Sequence, residues 1–170
     1  RSLPIDARLW RRILSTVNYA GHDPDIEASK NGIFEWTRTT ESAGRLRNAK
    51  AIAWNMNGFR RAMKTGGLRK FLTDHDADII FLSEIKCCPL KLDRPWELRK
   101  AFASLGYNHV FWNAASDPSK AGNWGTAMLS KIKPVSIKYG LNDDNIDAQG
   151  RTITARFRDA TLIGTYTPCS

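Results

Sequence analysis

The stretch Asp78-Ile79-Ile80-Phe81-Leu82-Ser83-Glu84 constrains the fold more than any other part of the chain. Its four consecutive large apolar side chains, bracketed by polar groups, have the length of a strand without the alternation of a half-exposed one. Side chains of a strand point to opposite faces in turn, so an unbroken apolar run requires burial on both. Such a strand belongs in the middle of a layered domain, with something packed above and below it. It also ends in a carboxylate, and strand ends face the crevice where α/β proteins hold ligands.

Around this strand the order reads β-α-β-α followed by further strands. Residues 49–54 (AKAIAW) form a short apolar strand that runs into the turn NMNG. Leu68, Phe71, Leu72 and His75 mark one face of a helix that ends near 74–78. Pro95 opens a second helix with Leu98, Ala101, Phe102 and Leu105 inward, and Gly106 is placed to cap its C-terminus. Strands are expected within 107–113, 125–130, 134–140, 151–157 and 160–167. The predicted class is α/β: one mixed β-sheet with helices on one face.

Residues 1–48 differ. Trp10, Ile13, Leu14 and Val17 would share a face of one short helix, but no sustained period follows. The stretch cannot build a core of its own and is expected to be an N-terminal docking arm, with the folded part at 49–170. Its opening, with four arginines, two serines and one acid in residues 1–20, resembles what lies at or after a mitochondrial transit peptide. Arg1 in place of Met agrees with a chain cut from a longer one.

The net charge is +9, and the arm's eight Lys/Arg nearly balance its six Asp/Glu. The folded part carries 18 basic against 11 acidic residues, which points to a polyanionic partner, with nucleic acid foremost. No apolar run approaches the length of a membrane span. Cys87, Cys88 and Cys169 are odd in number and lack metal-ligand spacing, so a reducing compartment is expected and a disulfide framework is not.

Three strand ends carry polar residues: Trp54-Asn55-Met56-Asn57-Gly58, Ser83-Glu84-Ile85-Lys86 and Tyr166-Thr167-Pro168. Singly, each has a plain structural explanation as a turn, a solvated ion pair or a rim tyrosine. Jointly, their order and spacing resemble the endonuclease/exonuclease/phosphatase superfamily, in its exonuclease III and apurinic-site endonuclease branch. AWNMNGFR (53–60) is similar to the family's W-N-x-(D/N)-G-(L/F/I)-R, and DIIFLSEIK (78–86) to its D-I-(L/I)-x-L-x-E-x-K. GTAMLSK (125–131), the stretch 139–157 ending in QGRTITARF, and TLIGTYTP (161–168) are similar to its later strands.

The resemblance implies roles residue by residue. Asn55 would hold the phosphate region and its acids. Glu84 would ligate a divalent metal, a hard-oxygen ligand suited to Mg²⁺. Tyr166 would approach the phosphate, with Lys86 near the metal and the backbone. Arg60, Arg61, Lys64, Lys70 and Arg151 would contact nucleic-acid backbone without reading sequence. There are departures. Asn57 stands where the branch usually has a metal-binding Asp, Ser83 replaces a Gln, and Cys169 replaces an Asn. The family's second half, with the residues that orient the attacking water and the phosphate-engaging His, has no counterpart in these 170 residues.

Hydrolysis needs metal, oriented water and charge stabilisation together, so the chain by itself is expected not to cleave. The resembled fold pairs two sheets, one from each half of a four-layer α/β sandwich. The other sheet is therefore expected from a partner chain. Covering an apolar face on the order of 600–800 Å² would contribute roughly 15–20 kcal/mol, more than the net stability of a domain. The functional expectation is a degenerate, non-catalytic subunit binding RNA rather than DNA in a large assembly such as the mitochondrial ribosome. The alternative is the N-terminal chain of a split Mg²⁺-dependent apurinic-site nuclease, active once its second half docks.

Overall fold

The computed structural model describes residues 44–46, 48–87, 95–116 and 124–168. The expected arm helix, Cys88 and Cys169 lie outside the described residues. The elements in chain order are β1 (Ala51–Asn55), α1 (Phe59–Lys64), α2 (Gly67–His75), β2 (Ile79–Ser83), α3 (Pro95–Ala103), β3 (His109–Asn113) and β4 (Thr126–Ser130). They continue with β5 (Ser136–Tyr139), the short α4 (Asp144–Asp147), β6 (Thr152–Arg156) and β7 (Thr161–Thr165).

The predicted central strand is β2, and all five of its residues are buried. It lies parallel to β1, from Ala51↔Ile79 to Asn55↔Ser83, and antiparallel to β4, in a mixed sheet ordered β1-β2-β4-β3. Alternate side chains serve two separate cores. Ile80 and Leu82 join Ala127, Leu129, Ile52, Trp54, Val110 and Trp112 on the face that the helices cover. Ile79 and Phe81 join Met128 and Phe111 on the other face.

The helices close the first face through residues spaced to share one side. α1 buries Phe59, Ala62 and Met63, and α2 buries Leu68 and Leu72. Phe71 of α2 stacks on Trp54 of β1 with ring centroids 4.3 Å apart. Leu98, Ala101 and Phe102 of α3 are buried in the same core. α3 ends as its sequence predicts. Gly106 sits at φ 88, its N–H donates to Ala103 O, and Tyr107 N–H donates to Phe102 O, the hydrogen-bond pair of a Schellman cap.

The expected mixed sheet with helices on one face is present, but the strand inventory is corrected. β5, β6 and β7 do not extend it; they form a separate antiparallel sheet ordered β5-β6-β7. Ile153, Ala155, Ile137, Tyr139 and Leu162 of this sheet pack on Ile79, Phe81 and Met128. Gly164 lies so close to Phe81 that a Cβ there would run into the ring. The far face of the first sheet, where cover from a partner chain is expected, is over β2 and β4 covered by this chain's own strands. The physical reason is the doubly apolar β2: two faces need two covers, and the helices among the described residues cover only one.

Cover is incomplete at one side. On β1, Ala51, Ala53 and Asn55 are exposed while Ile52 and Trp54 are half-buried. Ala51 and Ala53 lie in register with Ile79 and Phe81, so they belong to the face that the second sheet covers elsewhere. Among the described residues β7 is one edge of that second sheet, and its Ile163 is 62% exposed.

Candidate active site

Parallel pairing of β1 with β2 brings their C-terminal ends side by side, with Asn55 opposite Ser83. The loops that follow are laced together by main-chain bonds. Met56 N–H donates to Ser83 O (3.1 Å), Gly58 N–H to Glu84 O (2.8 Å) and Phe59 N–H to Ile85 O (2.8 Å). On its other side the second loop is held by Ile85 N–H to Gly125 O (3.1 Å) and Lys86 N–H to Trp124 O (3.0 Å). Within this lattice Asn57, Glu84 and Lys86 adopt left-handed backbone at φ 47, 52 and 48. Such conformations cost on the order of 1–3 kcal/mol each and persist where surrounding bonds over-determine them. They turn the three side chains toward one another.

Glu84 is the hub. Its Oε1 accepts from Asn55 Nδ2 at 2.7 Å and from the Tyr166 hydroxyl at 2.8 Å. Its Oε2 lies 3.0 Å from Lys86 Nζ, which also donates to Asn57 Oδ1 at 2.7 Å. Asn55 Oδ1 accepts from Asn57 N–H at 3.2 Å. The bonds from Asn55, Tyr166 and Lys86, in that order of effect, hold the Glu84 carboxyl below the usual carboxylate range. It is an ionised carboxylate, half-buried, with fixed donors.

Tyr166 reaches this point because it follows β7 directly, where its N–H donates to Arg151 O at 3.0 Å. Arg151 precedes β6, and its guanidinium lies 5.3 Å from the centroid of the Trp124 ring. Thr126 Oγ1 donates to Gly150 O, and Asn113 Nδ2 to Thr152 O, both at 2.9 Å. These two bonds tie the start of β6 to the first sheet. The Tyr166 hydroxyl and Glu84 therefore meet across two sheets, 82 residues apart in sequence.

The structure thus gathers Asn55, Asn57, Glu84, Lys86 and Tyr166 into one hydrogen-bonded group, with Arg151 alongside. Arg60, Arg61 and Lys64 are exposed on α1, which starts one residue after Gly58. Lys70 is engaged by Asp74 one turn along α2. Two features escaped sequence reasoning. Trp124 was not singled out, although its position just before β4 mirrors the other polar strand ends. The second is a pocket of 220 Å³ lined by Trp54, Met56, Asn57, Arg61, Ala62, Thr65 and Gly67; the first motif supplies three of these residues, but nothing in its spacing marks a cavity.

Among the described residues, no group of three or more His, Cys, Asp or Glu side chains gathers to hold a metal. Two hard oxygens, Glu84 Oε2 and Asn57 Oδ1, do converge on a single cation, the Lys86 ammonium. That donor set fits Mg²⁺, which is commonly held by one or two protein oxygens and completes its shell with water and phosphate.

Comparison with known proteins agrees with this geometry. Residues 52–169 match the Endonuclease/Exonuclease/phosphatase family. The DNA repair nuclease APEX1 of Danio rerio is 35% identical over 131 residues, 77% of this chain and 40% of its own length. The exodeoxyribonuclease of Bacillus subtilis (strain 168) is 37% identical over 121 residues, 71% of this chain and 43% of its own. An AP endonuclease from Archaeoglobus fulgidus shares the fold, with a TM-score of 0.54 at 24% identity over 71% of this chain and 41% of that one. The chain spans about two-fifths of the length of these proteins.

These names overturn the expectation of a non-catalytic, RNA-binding ribosomal subunit and favour its nuclease alternative. The features that suggested degeneracy do not carry that reading. A basic surface binds any phosphate backbone and cannot separate RNA from DNA. Asn57 still turns its oxygen into the cluster beside Glu84.

Proposed function

This chain belongs to the Endonuclease/Exonuclease/phosphatase family, and on that premise we propose that it supplies one wall of the active site of a Mg²⁺-dependent DNA-repair phosphodiesterase. The observation that carries the reading is Glu84, an ionised carboxylate at a strand end whose one oxygen is fixed by Asn55 and Tyr166 while the other turns to a cation. Glu84 Oε2 and Asn57 Oδ1 would hold the metal, which when bound supplies positive charge to a phosphate oxygen. Asn55 fixes the carboxylate's orientation. The Tyr166 hydroxyl, whose one proton goes to Glu84 Oε1, stands at the same point and would reach a phosphate oxygen by turning that proton away from the carboxylate. Arg60, Arg61 and Lys64 would grip the backbone beyond the scissile bond.

The groups that orient the attacking water would come from the remainder of the fold, as a second chain or a further segment. The exposed Ala51 and Ala53 of β1, the open β7 edge and Ile163 are the surfaces it would cover. The test is incision of an abasic-site duplex by this chain combined with the portion of the Bacillus subtilis relative that it does not match. Incision is expected with Mg²⁺, is lost with EDTA, and falls 100-fold or more in Glu84→Gln, since several kcal/mol of transition-state stabilisation depend on the metal. Incision indifferent to Glu84→Gln, or a stable complex inert in Mg²⁺, would overturn the reading.

A further inference from the structure

The Lys86 ammonium occupies the focus of the Glu84 and Asn57 oxygens, 3.0 Å from one and 2.7 Å from the other. The two oxygens come from different loops, and main-chain bonds between those loops fix their separation. Asn57 contributes a neutral amide oxygen, so the pair carries one negative charge, and one ammonium already balances it. Glu84 Oε1 is taken by Asn55 and Tyr166, which leaves Oε2 as the oxygen turned to a cation. An ammonium is a compact, strongly hydrated point charge on a flexible stem. The Lys86 side chain is 32% exposed, so it has a route out to water.

We propose that the Lys86 ammonium is the resident cation of this cluster and that a divalent ion enters only by displacing it, so that Asn57 and Lys86 together set the metal affinity. The inference rests on reading Glu84 as a metal ligand. A divalent ion held between Glu84 Oε2 and Asn57 Oδ1 takes the place that Lys86 fills, and a positive charge left beside it repels it at short range. Swinging Lys86 outward has a second consequence: the ammonium becomes available to an anionic phosphate at the moment the metal binds.

The experiment is Mn²⁺ binding to the full chain, followed by the electron paramagnetic resonance of free Mn²⁺, with thermal melting to verify folding of each variant. Lys86→Met is expected to bind Mn²⁺ about tenfold or more tightly than the unsubstituted chain, and Lys86→Gln to do likewise. Asn57→Asp is expected to tighten binding too, because two negative charges then face one ammonium. Glu84→Gln should abolish binding in every background. If both Lys86 variants bind no more tightly than the parent while Glu84→Gln still abolishes binding, displacement is overturned and the metal reading stands. If Glu84→Gln leaves Mn²⁺ affinity unchanged, the ligand assignment itself fails, and the proposal with it.

Discussion

Two buried or half-buried groups show how single residues set properties of the chain. The Tyr107 hydroxyl donates to Ala77 O at 2.9 Å inside the helix-covered core. Burial, with Asp76 and Asp78 nearby, pushes its pKa up to about 12. Because the folded value is raised, the tyrosine's contribution is complete below about pH 10 and is lost as pH rises from there through 12. Tyr107→Phe should remove that alkaline limb from a stability-against-pH curve. It should also cost about 1–2 kcal/mol near neutrality by leaving the Ala77 carbonyl without its partner. Glu84 shifts the other way. Asn55→Ala deletes the largest of its stabilising bonds, so the Glu84 carboxyl should titrate at higher pH, as read from its ¹³C shift.

At the scale of elements, the decisive contact is between the two sheets. Phe81 of β2 lies against Gly164 of β7, where no side chain fits. Gly164→Ala should destabilise the chain by about 1–3 kcal/mol through overpacking. Phe81→Leu should cost a similar amount alone, by opening a cavity. Combined, the two should cost less than their sum, because the smaller side chain yields the space that the new methyl needs. Urea melts of the four proteins give the coupling directly. Additive losses would mean that the sheets do not meet at this pair.

For the whole molecule, the basic balance of the folded part predicts salt-dependent binding of duplex DNA. Removing Arg60 and Lys64 together should weaken binding evenly across sequences. The slope of log affinity against log salt should fall by about 1–2, since each lost phosphate contact releases roughly one fewer counterion. A titration at several salt concentrations measures both effects. A change confined to one sequence would argue that these side chains touch bases and not backbone.

Much was legible beforehand, and the reasons are local. The unbroken Ile79–Leu82 run determined a doubly buried strand. The spacing of Leu68 and Leu72 determined a helix face, and Gly106 a helix end. The motifs around Asn55, Glu84 and Tyr166 pointed to one site because strand ends converge whatever the details of packing. What sequence left open was long-range. Alternating strands such as 152–156 bury one face equally well by extending a sheet or by lying across it, so pattern cannot separate the two. Only tertiary structure placed β5–β7 over Phe81 and carried Tyr166 to Glu84 across 82 residues. It also decided where the Lys86 ammonium lies, because that position follows from left-handed backbone at Asn57, Glu84 and Lys86; asparagine tolerates that conformation locally, but at Glu84 and Lys86 the packed loops impose it.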